Sequence, residues 1–428
     1  MSNSAQDPET ELMTIFRAAV DAVSGELAVL SALNAEPVEP SLPVYLLAVG
    51  KAADAMVAGV VKALPKAPVK GLMITKEAHA SENVMGLTWL RVIESSHPVP
   101  NESSLLAGRA CIDFVKSVPT HSQLLVLMSG GTSSLVESLI DGLTLKDVQR
   151  LNETLIAGGL PIDAMNRVRK TVSSIKGGKL SSQLPPEVRV RQLVISDVPG
   201  DKLSDIGSGL LAMPEPGDFA HPGDLIDALP VKLDDNLVAC VNAYGVRPPE
   251  PTADVWQQIK STVAGSSHIA QEAAACAAKA LNVPVIQSSG SLHGDVNVIA
   301  ERIAQTLVND TRLGVYIWGG ETHLVLPEKP GRGGRNQHLA LAVALRIAGE
   351  ENLSVLCCGT DGSDGPTADA GGLVTGESIG NGSSQGLLAD DYLQAADAGS
   401  YLAAVNALVT TGPTGTNVMD LVVAVRSG

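Results

Sequence analysis

The order of apolar and polar positions along the chain predicts an α/β protein. From Pro8 to Leu33, apolar side chains recur at helical spacing, which predicts one or two helices. Farther on, short runs of β-branched residues and leucine end in Gly, Ser or Asp and lead directly into helix patterns. This order is typical of parallel strands joined by crossover helices, whose ligands bind beyond the carboxyl ends of the strands.

Three such runs lie in the first half of the chain. Strand Val44–Val49 leads through Gly50 and Lys51 into a helix over 52–64. The other two strands, Gln123–Met128 and Gln192–Ser196, end at Ser129 and at Asp197 respectively. In the second half, strands are predicted at 283–287, 315–318, 322–326, 353–358 and 420–425. Because 428 residues exceed one ordinary core, we expect two domains, 8–250 and 251–428, with the boundary within 215–265.

The formal net charge of −16 limits the kinds of molecule that the protein is expected to bind. A nucleic-acid partner is not expected, because binding to the phosphate backbone needs a basic face and the sequence has no such Lys/Arg cluster. An anionic substrate would instead need local positive potential from a few Lys or Arg residues, from helix N-termini or from a divalent metal.

Cysteine spacing and hydropathy favour the cytoplasm. The five cysteines show no C-x-x-C spacing, which indicates reduced thiols. The first residues carry neither a basic nor an apolar signal region, and no apolar run reaches the roughly 18 residues that a membrane span requires. We therefore expect no membrane partner and a cytoplasmic location.

Glycine-rich loops at two predicted strand ends could bind an anion. Lys51 opens a helix, where its ammonium and the free N–H groups of the first turn could converge on a phosphate or carboxylate. The run Ser129, Gly130, Gly131, Thr132 and Ser133 could present several further N–H donors. A solvated surface lysine and a tight turn without a ligand are the alternatives, and the sequence leaves them open.

Two further loops carry candidate charged groups. The run Gly331–Asn336 places Arg335 and Asn336 before a helix, in a flexible backbone suited to bidentate anion recognition, although a solvated basic loop is the alternative. Asp197, Asp361 and Asp364 follow predicted strands and could hold Mg²⁺ or accept a proton, although most such residues cap helices or form turns. The basic runs Asn166–Lys170 and Lys176–Lys179 could form a solvated helix face or a cationic wall.

Generic nucleotide motifs do not occur in the sequence. It contains no G-x-x-x-x-G-K-[ST], and no G-x-G-x-x-G follows a predicted strand. A P-loop or a dinucleotide site of the usual kind is therefore disfavoured. The histidines also lack metal-ligand spacing, which makes a zinc site improbable.

The order of the loops is more specific than any single loop, and it resembles that of the glycerate 2-kinase family, whose members were long called hydroxypyruvate reductases. The segments that carry the resemblance span nearly the whole chain: AVGKAADAM (48–56), HPVPNESS (97–104), LMSGGTSSL (127–135), NRVRKTVSSIKGGKL (166–180), ISDVPGDKLSDIGSG (195–209), GGETHLVL (319–326), GRGGRNQHLAL (331–341), GTDGSDGPTADAGG (359–372) and TGPTGTNVMDL (411–421).

The resemblance implies a Rossmann-like three-layer N-terminal domain with a parallel sheet, a smaller α/β C-terminal domain called MOFRL, and an active site in the cleft. It implies ATP-dependent phosphorylation of D-glycerate at the 2-hydroxyl, with Mg²⁺. By motif, the family's active-site lysine, aspartate and arginine fall on Lys51, Asp197 and Arg335. His338 stands where the family pattern leads us to expect glutamate, which puts any acidic role there in doubt.

The resemblance therefore implies a kinase for a small sugar acid, and we expect a monomer or homodimer. Ser129–Ser133 and Asn336 would bind the substrate or phosphate, and Asp197, Asp361 and Asp364 are the candidates for the metal. One alternative is a nicotinamide-dependent hydroxypyruvate reductase, which the missing glycine motif disfavours. The other is a non-catalytic protein that binds a sugar acid or a nucleotide.

Overall fold

The structure, a computed structural model, divides into two compact units. It describes residues 7–64, 66–157, 162–214, 232–233, 235–242, 249–250 and 253–428. The N-terminal unit comprises Gly25–Ala264, and the C-terminal unit comprises the chain up to Ser24 together with Gly265–Gly428. Part of the predicted boundary region, 215–265, lies outside the described residues.

The described secondary structure consists of two large sheets with their helices, and a short two-stranded ladder. The strands are β1 (Val44–Val49), β2 (Lys70–Lys76), β3 (Leu90–Ser95), β4 (Gln123–Met128), β5 (Arg189–Ile195), β6 (Ile259–Gly265), β7 (Val285–Ser291), β8 (Gly294–Asp295), β9 (Gly314–Gly320), β10 (Thr322–His323), β11 (Leu353–Gly359), β12 (Gly371–Thr375), β13 (Leu408–Val409) and β14 (Asp420–Arg426). The helices are α1 (Pro8–Ala22), α2 (Gly25–Ala35), α3 (Ala53–Ala63), α4 (Glu82–Met85), α5 (Glu102–Lys116), α6 (Thr132–Leu135), α7 (Leu145–Ala157), α8 (Ile162–Val172), α9 (Asp235–Asn242), α10 (Ser267–Ala280), α11 (Val296–Asn309), α12 (Arg335–Arg346), α13 (Ser378–Ser384), α14 (Ala389–Gln394) and α15 (Ala398–Ala404).

The N-terminal unit is built on a sheet with the strand order β3-β2-β1-β4-β5-β6. The four pairings from β3 to β5 are all parallel. Leu47 packs in one core with Cys111 and Phe114 of α5, while its neighbour Leu46 is also fully buried and α3 contacts β1. Because neighbouring strand residues point to opposite faces, both faces of the sheet are covered. The predicted Rossmann-like, three-layer parallel sheet is confirmed.

The C-terminal unit contains a mixed sheet with the order β13-β12-β11-β14-β9-β7. Only the β7–β9 pair is parallel, and the other four pairings are antiparallel. Helices α11 and α12 pack on one another, and α12 packs on β11 and β12. This second α/β unit was predicted, but the strand predicted at 322–326 is wrong in length, since only Thr322 and His323 form a ladder, with β8.

Helix α1 belongs to the C-terminal unit, although the predicted domain 8–250 includes it. Leu12, Ile15 and Phe16 are buried, and α1 contacts α10, β11 and β14. At the other boundary, β6 completes the edge of the N-terminal sheet, although the predicted domain 251–428 includes it. The two units therefore begin and end at different residues from the predicted domains 8–250 and 251–428. The difference arises because α1 is buried in the C-terminal unit and β6 pairs with the N-terminal sheet. No helix of the described ranges is long and apolar enough to span a membrane.

Lysines of the 166–179 segment lie inside the N-terminal unit and are not solvated. The Lys176 ammonium pairs with Glu137, and both side chains are about 97% buried. Ser173 Oγ donates to the same carboxylate at 2.7 Å. The Lys179 ammonium donates to the carbonyl oxygens of Lys170 and Ser173, at 2.8 and 2.6 Å. The segment is therefore an internal polar network, which contradicts the solvated-face alternative for these lysines.

The same network fixes the far end of the loop that follows β5. Lys170 contacts Asp205 at 3.5 Å, and the Gly177 N–H donates to the carbonyl of Ser208 at 2.8 Å. The hydroxyls of Ser208 and Ser133 lie 2.7 Å apart. These contacts connect the loop after β5 both to the buried lysines and to the loop after β4.

Breaking the buried Lys176–Glu137 pair should cost far more stability than breaking an exposed pair. We expect Lys176→Met to lower the free energy of unfolding by about 3–5 kcal/mol, because it leaves the Glu137 charge buried without its cation. Lys62→Met is the matched control, since Lys62 pairs with Glu26 at the surface and should cost less than about 1 kcal/mol. Urea denaturation measures both changes, and equal losses would contradict this account of the network.

Candidate active site

Three of the predicted site segments meet at one edge of the N-terminal sheet. In the parallel register, Val49 of β1 lies opposite Met128 of β4, which lies opposite Val194 of β5. The carboxyl ends of these strands are therefore level. Lys51 and Ser129–Ser133, which follow β1 and β4, leave the sheet on the same side as Asp197, which follows β5. This edge is where α/β proteins bind their ligands.

Backbone hydrogen bonds hold the loops after β1 and β4 together. The Lys51 N–H donates to the Gly130 carbonyl at 2.9 Å. The Ala52 N–H donates to Ser129 Oγ at 3.1 Å, and Thr132 Oγ1 donates to the Val49 carbonyl at 3.0 Å. A Cβ on Gly50 would collide with Ser129 Oγ. The loops therefore approach each other as closely as glycine allows.

Asp197 and Lys51 lie on either side of the Gly130–Gly131 pair. A Cβ on Gly130 would collide with the Asp197 carboxylate. Gly131 has a left-handed φ of +86°, and a Cβ there would lie 3.1 Å from Lys51 Cγ and 3.0 Å from His97 Cδ2. The structure therefore brings Lys51, Asp197 and the Ser129–Ser133 loop together, and it adds His97, which the sequence interpretation did not select. We call these residues the Lys51 cluster.

Burial and charge act in opposite directions on Asp197. Burial raises the pKa of this carboxyl above its ordinary value, and the nearby Lys51 ammonium lowers it in part. A partly buried carboxyl at a strand end, with a pKa shifted by burial and by a nearby lysine, is a candidate functional group. The cluster can therefore offer an ammonium, an acidic group and several N–H donors to a ligand.

A second cluster lies at the start of α12 in the C-terminal unit. Arg335 Nε and Nη2 donate to the Asp420 carboxylate at 2.6 and 2.9 Å, and Arg335 Nη1 lies 2.9 Å from Glu321 Oε1. Asn336 Nδ2 also donates to Asp420, at 2.9 Å. Asp420 is 1% exposed, and burial raises its pKa although Arg335 lowers it. We call these residues and Asp364 the Arg335 cluster.

Asp364 acts as the cap of α12. Its two carboxylate oxygens accept the backbone N–H groups of Asn336 and Gln337, at 3.0 and 2.8 Å. Burial raises the pKa of Asp364 to about 6, although these two hydrogen bonds lower it. Sequence reasoning proposed Asp364 as a metal ligand, and the structure shows that much of its hydrogen-bonding capacity is already used.

Asp361 and His338 lie at the margins of this cluster. Asp361 Oδ1 accepts the Ser363 N–H at 3.0 Å, which is the hydrogen bond of a turn. His338 Nε2 lies 3.4 Å from Asn297 Oδ1 of α11, so the side chain at this departure from the family pattern contacts the neighbouring helix. No group of three His, Cys, Asp or Glu side chains able to hold a metal occurs among the described residues.

Sequence reasoning missed the partners Asp420, Glu321 and His97. Asp420 and Glu321 are brought to Arg335 by β14 and by the turn after β9, which are distant in sequence. The sequence signal for all three was their position in segments that carry the family resemblance, HPVPNESS, GGETHLVL and TGPTGTNVMDL. A matching segment does not indicate which of its side chains contact the site.

Two family models match the chain. Residues 11–242 match the model described as a domain of unknown function, DUF4147, and residues 314–420 match the model described as the MOFRL family. The first match covers more than half of the chain.

Relatives and a solved structure are similar over almost the whole length. A D-glycerate 2-kinase from Thermotoga maritima is 33% identical over 89% of this chain and 90% of its own. A protein from Agrobacterium vitis with the provisional name hydroxypyruvate reductase is also 33% identical, over 96% of this chain and 92% of its own. The crystal structure of glycerate kinase from Thermotoga maritima matches with a TM-score of 0.87 and 29% identity, covering 98% of this chain and all of the other. With both regions matched and the fold shared throughout, this chain belongs to the glycerate 2-kinase family.

Proposed function

We propose that the protein transfers the γ-phosphoryl group of ATP to the 2-hydroxyl of D-glycerate, giving 2-phosphoglycerate. The observation that carries the proposal is the Lys51 cluster, in which a lysine and an acid flank a glycine-rich loop at the carboxyl ends of parallel strands. The name of the Thermotoga maritima relative, D-glycerate 2-kinase, supports the substrate and the position of transfer.

Phosphoryl transfer requires mainly alignment of the hydroxyl with the γ-phosphorus and neutralisation of the spreading negative charge. Lys51 supplies a cation just before α3. The Ser129 N–H is bonded to the Val49 carbonyl at 3.1 Å, so the proposed fixed donors are the N–H groups of Gly130–Ser133. Because the protein has a net charge of −16, such local donors would oppose the general repulsion of an anionic substrate. We therefore assign the phosphoryl group or the glycerate carboxylate to this cluster.

Arg335 is the proposed second cation. Its guanidinium has five N–H donors, and Asp420 and Glu321 take three of them. The side chain is 35% exposed, so its remaining donors are open to a phosphate or carboxylate ligand. Asp420 then fixes the plane of the guanidinium. Asn336 helps to hold the Asp420 carboxylate in place, because its Nδ2 donates to the same carboxylate.

Mg²⁺ is implied by the kinase reaction, and the residues present fit it. Proteins usually hold Mg²⁺ with one or two carboxylates, substrate phosphates and water, so a group of three acidic side chains is unnecessary. Asp197 is the best candidate. Asp361 is the second, because the hydrogen bonds from the N–H and the hydroxyl of Ser363 both go to its Oδ1. Asp364 is weaker, because it caps α12. When bound, the metal would neutralise charge on the ATP phosphates.

One alternative function is that of the older family name, a hydroxypyruvate reductase that uses a nicotinamide cofactor. The strand-to-helix loop at Gly50 and Lys51 lacks the glycine spacing that lets a helix N-terminus approach a pyrophosphate. A non-catalytic binding protein is the other alternative, and it predicts ligand binding without turnover. Release of ADP in the presence of D-glycerate, with no change in nicotinamide absorbance, would exclude both.

The cytoplasm remains the proposed location. The described cysteines are unpaired, and Cys276 is exposed, which suits a reducing compartment. A monomer or a homodimer remains our expectation for the assembly.

Replacing Lys51 tests the proposed site directly. We expect Lys51→Ala to lower kcat/KM for D-glycerate by more than about 100-fold, because a lost contact to the transferring group costs several kcal/mol. ADP release measures the rate, and identification of the product as 2- or 3-phosphoglycerate tests the position of transfer. Lys116→Ala, at an exposed position of α5, is the control. A kcat/KM for Lys51→Ala within threefold of wild type would refute the assignment.

Arg335→Lys tests whether substrate recognition requires the planar guanidinium of Arg335 and not only its positive charge. Lysine keeps the positive charge and loses the planar fork, so we expect kcat/KM to fall by about tenfold or more while the melting temperature changes little. Arg312→Lys is the matched control, because Arg312 makes an equivalent bidentate pair with Asp310 on the surface. Equal activity in the two variants would argue against substrate recognition by Arg335.

A further inference from the structure

His97 lies in the Lys51 cluster with its ring edge toward the glycine pair. It follows β3, and its Cδ2 and Nε2 lie 3.0 and 3.2 Å from the point above Gly131 where a Cβ would stand. Lys51 Cγ lies 3.1 Å from the same point. The imidazole edge, the lysine stem and the glycine backbone therefore converge on one small volume.

The backbone around His97 is fixed without help from the imidazole. Ser95 Oγ donates to the Leu135 carbonyl at 2.8 Å, the Ser96 N–H donates to Ser103 Oγ at 3.1 Å, and Ser96 Oγ donates to the Val99 carbonyl at 2.9 Å. Neither ring nitrogen of His97 has a hydrogen-bond partner among the residues that the structure describes. The fold thus positions the ring and leaves its nitrogens free to meet a ligand.

The surroundings keep this imidazole neutral. Burial, followed by the charges of Lys51 and Lys76 and by His79, lowers the pKa of His97 to about 4. A neutral imidazole has one nitrogen that can accept a proton. Anionic substrates would offset the neighbouring positive charges and raise the pKa of His97 toward its ordinary value, which makes the ring a better base when the site is occupied.

We propose that His97 is a catalytic residue that accepts the proton of the acceptor hydroxyl through Nε2. This inference rests on the proposed kinase function. The hydroxyl oxygen forms the new bond to the γ-phosphorus while its O–H bond breaks and the proton moves to His97. The bond between the γ-phosphorus and the bridging oxygen breaks, and its electron pair leaves with ADP. His97 then returns the proton to solvent. Asp197, on the other side of the glycine pair, remains free to bind the metal.

The first test compares kcat with KM. We expect His97→Gln to lower kcat by about 100-fold or more, the usual range for a lost general base, while KM for D-glycerate changes less than about threefold. His121→Gln is the control, because His121 is exposed and pairs with Glu187. A kcat for His97→Gln within threefold of wild type would overturn the proposal, and the proposed function would stand.

The second test separates a base from a structural group. In His97→Ala, added imidazole should restore kcat at least about tenfold, and the rescue should grow as the imidazole loses its proton. The fall of kcat at low pH in wild type should also disappear in His97→Gln. Low activity in a folded variant with no rescue, and with an unchanged pH profile, would assign His97 a structural role instead. If the wild-type enzyme released no ADP with D-glycerate, the proposed function itself would fail.

Discussion

The site depends on a close approach of backbones that only glycine permits. Gly50 stands against Ser129, Gly130 against the Asp197 carboxylate, and Gly131 against Lys51 and His97. Because neighbouring parallel strands end at the same level, the three loops are forced into contact there. The absence of side chains at these positions brings an ammonium, a carboxyl and an imidazole close together, which explains why glycines are concentrated in these loops.

One cation in each unit has a defined acidic partner. Arg335 is oriented by Asp420, and Lys176 is neutralised by Glu137. These pairs need not add net stability, because burial of both charges is costly. Each pair fixes the orientation of its two side chains, because separating them would leave a charge without a partner in a poorly solvated place. An acidic protein can thereby present a small positive surface to an anion while its overall charge remains negative.

The sequence was sufficient for the strands whose patterns are local and strong. β1 and β4 lie where the pattern predicted them, and the loops after them were selected correctly as neighbours of a strand end. The described strands β2, β3, β6, β8, β12 and β13 were not predicted. Short runs of this kind do not differ clearly from loops or helix segments by periodicity alone. Asp420 and His97 were missed for another reason: their roles come from segments far apart in the chain, and a single sequence does not specify such contacts. The burial of Lys176 was not predicted for the same reason, since its partner Glu137 lies on another segment of the chain.

The most direct measurement is the effect of one methyl group at Gly130. Gly130→Ala adds a Cβ that must displace Asp197, whereas Gly380→Ala adds one on an exposed helical turn with open space around it. Steady-state ADP release with D-glycerate, compared with the melting temperature of each variant, separates lost activity from lost folding. The account predicts that Gly130→Ala loses about 100-fold or more in kcat/KM while still folded, and that Gly380→Ala behaves as wild type. Wild-type kcat/KM in Gly130→Ala would contradict the claim that this close approach builds the active site.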